Sequence, residues 1–220
     1  MKRCIINVAI GKPYTYYQNR LAASVKEQMP DLPVMLWHDC LPDGARSYAE
    51  SMYGFKMYAF QEAFKEYDSV LWLDSPTVLH TSIAPVFDLL ESQGELVVGT
   101  KSKLYQYVND TTLTHYGLDR QKLKDEDWAL NYGFVFGFTK NHPTYQKMFE
   151  GEKAGLFTSA YEDNIDHVYN SGKLFNGEYV EHRHEESILS VIVQMEGRKL
   201  IPLEELERDT KYFSFEKTPL

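Results

Sequence analysis

Asp68-Ser69-Val70-Leu71-Trp72-Leu73-Asp74-Ser75-Pro76 is the stretch on which the fold turns. Its apolar core, Val70 to Leu73, has no polar alternation, so both of its faces need burial, as in a strand inside a parallel sheet. Upstream, Tyr53, Met57, Phe60, Phe64 and Tyr67 recur at spacings of 4, 3, 4 and 3, the signature of a helix with a broad aromatic stripe turned to a core. Further back, residues 3–10 read as a nearly continuous apolar strand stopped by Gly11-Lys12-Pro13. Tyr17, Leu21, Val25 and Met29 then line one face of a helix, and Val34-Met35-Leu36-Trp37 forms a second strand ending at His38-Asp39. A short helix over 85–91 and a strand at Leu96-Val97-Val98-Gly99 complete a β-α-β-α-β alternation over the first 100 residues. The fold class is α/β: a single domain over 1–220 with a mostly parallel central sheet flanked by helices.

The second half is less regular and carries the smaller, antiparallel portion. A polar helix is expected over 118–127, a glycine-interrupted strand over 132–138, helices over 143–150 and 159–169, and a short extended piece at 178–180. An apolar helix through Ile188, Leu189, Ile192 and Val193 follows, then a last strand over 199–202 before a polar tail. No repeat or low-complexity linker divides the chain.

Composition sets the class of partner. The 220 residues are 43% hydrophobic, 14% aromatic and 25% charged, the profile of a folded chain with a sizeable core. Subtracting 32 acidic from 23 basic side chains leaves a net charge of -9, a field that repels polyanions and excludes nucleic acid as the expected partner. No apolar run approaches the roughly 18 residues of a membrane span, and the first ten residues do not make a signal peptide, so a cytoplasmic location is expected. Cys4 and Cys40 are expected to be reduced core residues on buried strands.

In an open α/β sheet ligands bind beyond the carboxyl ends of the strands, which directs attention to Ala9, Gly11 and Tyr14, to His38 and Asp39, and to Asp74 with Ser75 and Pro76. Neither G-x-G-x-x-G nor G-x-x-x-x-G-K occurs, which disfavours nicotinamide dinucleotides and P-loop chemistry. Asp74 is the sharpest candidate: a carboxylate directly after Val-Leu-Trp-Leu needs a partner, a cation or a turn to cap through Ser75 and Thr77.

The order of three blocks resembles the nucleotide-sugar core of GT-A type glycosyltransferases near the family 8, 32 and 34 group. They are Lys56 with the strand ending in Asp74, then Leu130-Asn131-Tyr132-Gly133-Phe134, then His184-Glu185-Glu186-Ser187-Ile188-Leu189, and together they cover about residues 3–200. The resemblance implies transfer of a sugar from a nucleoside diphosphate sugar, UDP by expectation, to a hydroxyl of a glycan or glycoprotein acceptor. The nucleotide half would be about 1–100 and the sugar and acceptor half about 101–205. It implies Mn²⁺ or Mg²⁺ on Asp74, although Pro76 stands where the second acid of D-x-D belongs and the late H-x-G histidine has no match in the tail. His182 and His184 are the substitute ligands, weighed against two satisfied or solvent-facing imidazoles on a strand.

The expected roles follow from residue chemistry. Glu185 or Glu186 orients or deprotonates the acceptor, against plain capping of the helix that follows. Lys56, and less so Arg20, neutralises the diphosphate; Tyr14, Tyr16 and Tyr17 stack on the base or pack the helix. Asn131 holds sugar hydroxyls. Asp125, Glu126 and Asp127 are either a sugar-binding acid or a solvated turn. A non-catalytic nucleotide- or glycan-binding module of the same fold is the alternative that Pro76 favours. A nucleotidyltransferase is weakened by the missing glycine-rich, lysine-containing loop.

Overall fold

The apolar run becomes the third strand, β3 (Ser69–Leu73), with every residue buried. The computed structural model describes residues 1–157, 181–207 and 212–216. Beside β3 lies β1 (Arg3–Ala9), parallel to it and to the edge strand β2 (Val34–His38). On the other side β6 (Ala129–Thr139) runs antiparallel to β3 and to β5 (Glu95–Lys103), and β5 pairs in parallel with the two-residue β7 (Ile201–Pro202). The order is β2-β1-β3-β6-β5-β7, and β4 (Thr77–Leu79) with β8 (Phe213–Phe215) makes a small antiparallel sheet.

Alternate residues of the central strands feed two cores, which is why their sequence shows no polar alternation. Ile5, Leu71 and Leu73 pack with Leu21 and Val25 of α1 (Tyr14–Gln28) and with Val86, Phe87 and Leu90 of α3 (Ala84–Gln93). Cys4, Ile6, Val70 and Trp72 face the opposite way. They meet Met57 and Phe60 of α2 (Phe55–Ala63), Tyr145 and Met148 of α6 (Pro143–Lys153) and Ile188 and Ile192 of α7 (Glu185–Met195). A third, smaller core gathers around Leu123 and Trp128, where α4 (Asp110–His115) and α5 (Arg120–Asp125) start on the side-chain caps Asn109 and Asp119. Beyond β7 lies α8 (Leu203–Glu207).

Because α1 and α2 cover opposite faces, and the chain leaves β1 toward β2 but returns to β3 on its other side, the connections diverge at the carboxyl ends of β1 and β3. In open α/β sheets a divergence of this kind is where loops gather around a ligand.

Several sequence expectations change. Cys4 is buried in the core, but Cys40 is exposed: Asp39, with φ of 54°, turns the chain away from the sheet as soon as β2 ends. The aromatic helix is regular only over Phe55–Ala63, the terminal strand shrinks to two residues, and the expected polar tail contributes α8 and β8. His182 lies in an irregular stretch and His184 in the turn before α7, neither on a strand, and both are buried. The helix expected over 159–169 and the extended piece at 178–180 lie outside the described residues.

Gly137 is fixed by close approach. A Cβ there would stand 2.7 Å from the backbone oxygen of Val70 and 3.1 Å from Leu71 and Leu90 side-chain carbons. Strand pairing prevents Val70 from retreating, so Gly137→Ala is expected to cost about 1–3 kcal/mol. A fall in the thermal unfolding midpoint checks this; an unchanged midpoint would show that β3 and β6 separate more freely than their register implies.

Candidate active site

At the carboxyl end of β1, Asn7 is the one polar side chain between Ile6 and Val8, and it stitches three strand ends together. Its Nδ2 donates to the carbonyl of Leu73 at 2.7 Å, and its Oδ1 accepts from Gln18 Nε2 at 2.9 Å and Ser75 Oγ at 3.1 Å. Gln18 also donates to the carbonyl of Trp37 at 3.1 Å and accepts at Oε1 from His38 Nδ1 at 3.0 Å, which places the proton on that imidazole nitrogen. The network ties β1, β2 and the Asp74-Ser75 turn to α1. A polar residue inside an apolar strand was the sequence signal for it.

Asp74 leaves the end of β3 with its N–H donating to the carbonyl of Phe134 at 2.9 Å. Its carbonyl, not its carboxylate, accepts from the Thr77 N–H at 3.0 Å and closes the turn. The carboxylate is thereby free for other partners: Oδ1 accepts from Trp72 Nε1 at 2.6 Å and lies 3.4 Å from Lys56 Nζ, while 27% of the side chain remains exposed.

Lys56 is the centre of the site. It projects from the first turn of α2 on the same stripe as Phe60, four residues on, and is only 3% exposed. Its ammonium donates to Glu185 Oε1 at 2.5 Å and to the carbonyl of Gly133 at 3.3 Å. It also stands 4.8 Å from the Trp72 ring centroid and 5.1 Å from that of Tyr53. Burial pulls the Lys56 pKa down, but Asp74 and Glu185 outweigh it and the net direction is up, so the ammonium stays charged.

The two glutamates open α7 without capping it through their side chains. Burial, opposed by Lys56, pushes the Glu185 carboxyl up to about 7. Its Oε2 is buried and has no hydrogen-bond partner among the described residues. Glu186 pairs with Arg183 at 3.1 Å, and burial, opposed by Arg183, raises its pKa as well. A Cβ on Gly133 would lie 2.6 Å from the Glu186 side chain, so this glycine lets the glutamate cross β6. His184, just before α7, has φ of 47°, and burial with the neighbouring His182 and Arg183 lowers its pKa to about 2, leaving the ring neutral.

Tyr53 and Tyr48, absent from the sequence-based candidates, extend the site toward the first loop. Tyr53 holds the left-handed φ of 61°, unusual for an aromatic residue, and its ring packs edge-on to Tyr48 at 5.1 Å and tilted to His184 at 5.9 Å. Burial raises the Tyr48 phenol pKa, opposed by its hydrogen bond with Tyr53. Tyr14 and Tyr16 are about half exposed and Tyr17 is buried in the helix packing. Gly11, at φ of 70°, has open space beside it, and its N–H donates to Asp39 Oδ1 at 2.7 Å.

Other sequence candidates fall elsewhere. Arg20 pairs with Glu216 at 2.5 Å. Asp127 pairs with Lys103, and Glu126 with Lys122 and the Trp128 indole. Asn131 is fully buried; its N–H donates to Ser190 Oγ at 2.6 Å, and both side-chain amide atoms lack partners among the described residues. Two cavities, of about 160 and 230 Å³, lie away from the cluster, one lined by Val86 and Tyr212 and the other by Tyr116 and Ile192.

The side chains around Asp74 do not make a site for a divalent ion. Pro76 supplies no ligand atom, an ammonium already faces Oδ1, and among the described residues no three His, Cys, Asp or Glu side chains converge as metal ligands.

No protein-family description and no curated protein matches this sequence. Among solved structures, one similar chain is the crystal structure of a glycosyltransferase involved in the glycosylation of the major capsid of PBCV-1. The match covers 83% of this chain and 82% of that one, at 13% sequence identity and a TM-score of 0.42.

Removing one member of a buried ion pair strands the other. Glu185→Leu is expected to destabilise the fold by about 3–5 kcal/mol, and adding Lys56→Met should restore most of that loss, because an apolar pair needs no solvation. Denaturant unfolding of the two variants checks this; equal stability of the single and double variants would refute the buried pairing.

Proposed function

We propose that this chain is a glycosyltransferase that moves a sugar from a nucleoside diphosphate sugar, UDP-linked, to a hydroxyl of a glycan or glycoprotein. The observation that carries the reading is the partly exposed Asp74 carboxylate at the divergence of β1 and β3, backed by the buried Lys56 ammonium 3.4 Å away. The nucleoside would lie along Ala9, Gly11 and Asp39, with Tyr14 or Tyr16 offering an exposed ring to the base. In the reaction the bond from the anomeric carbon to the diphosphate oxygen breaks, and the diphosphate leaves with the electron pair. The acceptor oxygen bonds to that carbon and gives up its proton. Asp74 stabilises the positive charge that develops on the sugar and accepts the proton, since the Glu185 side chain is 3% exposed and that of Glu186 is 12% exposed and held by Arg183.

The alternative of a non-catalytic nucleotide- or glycan-binding module is favoured by Pro76. The two readings separate on turnover: the enzyme releases free UDP from a UDP-sugar, whereas the module only binds.

Asp74→Asn keeps the shape and the Trp72 contact while removing the charge. Its UDP release across a panel of UDP-sugars, compared at a temperature where both proteins are folded, should fall about 100-fold or more, and the unfolding midpoint should fall as well because Lys56 loses part of its compensation. Full activity in Asp74→Asn, or no UDP release by the unaltered protein from any donor, would overturn the assignment.

A further inference from the structure

Lys56 Nζ sits among three hard oxygens: Glu185 Oε1 at 2.5 Å, the Gly133 carbonyl at 3.3 Å and Asp74 Oδ1 at 3.4 Å. Two carboxylates and a carbonyl are the donors that a divalent cation seeks, and the second oxygen of Glu185 is buried beside them with no partner among the described residues. The ammonium therefore occupies the place where such an ion would be held. Glu186, next to Glu185 on α7, acts on Lys56 only through its charge and is itself paired with Arg183 at 3.1 Å.

We infer that Lys56 is the resident cation of this site, that the protein holds no divalent ion there, and that removing the ammonium creates a divalent-ion site in its place. Methionine ends one atom short of lysine, so Lys56→Met empties the position of Nζ while keeping the apolar stem among Tyr53, Trp72 and Phe136. The inference deepens the proposed function and rests on that reading only for the nucleotide arm of the test.

The first arm uses Mn²⁺ alone on the full chain, followed by the paramagnetic signal of free Mn²⁺ and by thermal unfolding. Lys56→Met should bind Mn²⁺ at least about tenfold more tightly than the unaltered protein and gain thermal stability from it, because ligand charge governs affinity for hard cations. Lys56→Gln, which also removes the charge, serves as the second variant should Lys56→Met fail to fold, and it carries the same expectation. The inference is overturned if the unaltered protein binds Mn²⁺ as tightly as either folded variant, or if both folded variants bind it no better than the unaltered protein. The second arm measures UDP binding to the unaltered protein in chelator and in Mn²⁺. Affinities within about twofold of each other support the inference, and a tenfold gain with Mn²⁺ overturns it. Absence of UDP binding in both conditions counts against the nucleotide-sugar reading alone, and the Mn²⁺ arm then decides the role of Lys56.

Discussion

A lysine ammonium buried where two carboxylates and a carbonyl converge is the constraint around which the rest of this site is arranged. Taking an ammonium out of water costs several kcal/mol unless its partners are close and well placed. Here α2 delivers the lysine, β3 delivers Asp74, β6 delivers the Gly133 carbonyl and the first turn of α7 delivers Glu185. Four elements from distant parts of the chain must dock before the charge is compensated, so the ion cluster helps to fix how the helical layer sits on the sheet. The same arrangement leaves Asp74 as the carboxylate of the group with appreciable exposure.

Around that cluster the backbone departs from its easiest conformations. Tyr53 and His184 both hold positive φ, and their rings meet at 5.9 Å on the side of Lys56 that faces the first loop. Conformations of this kind cost of order 1–3 kcal/mol each and persist only where the surroundings enforce them. Their placement beside the cluster, together with the hydrogen-bonded network of Asn7, Gln18 and Ser75 at the strand ends, holds the surroundings of Asp74 in place.

The α/β alternation was legible because burial on two faces leaves an unmistakable apolar run in β1 and β3, and because the helix stripes follow the 3.6-residue period. The place of Asp74 was legible for the same reason: a carboxylate closes the apolar run, and there it meets the Trp72 indole and the Lys56 ammonium. The partners of Lys56 were not, since its contact with Glu185 spans 129 positions and no local pattern encodes it. The lysine's place on the aromatic stripe of α2 was the available signal, and it pointed to burial instead of to an exposed phosphate. Glu185 was visible in the sequence as an acid at the start of a helix, but its side chain turns inward, where its Oε1 accepts from the buried Lys56 ammonium. The Tyr48 and Tyr53 row escaped notice because a turn-rich segment without periodicity carries no indication of which side chains point inward.

Trp72 gives this arrangement an optical consequence. Its indole N–H is bonded to the Asp74 carboxylate and its ring lies against the Lys56 ammonium, whereas Trp128 is engaged with Glu126 in a separate core and Trp37 belongs to the edge strand. Indole emission responds to charge and hydrogen bonding at the ring nitrogen. A molecule that settles on Asp74 therefore alters the fluorescence of a native chromophore two residues away, and occupancy of the site becomes readable without any label.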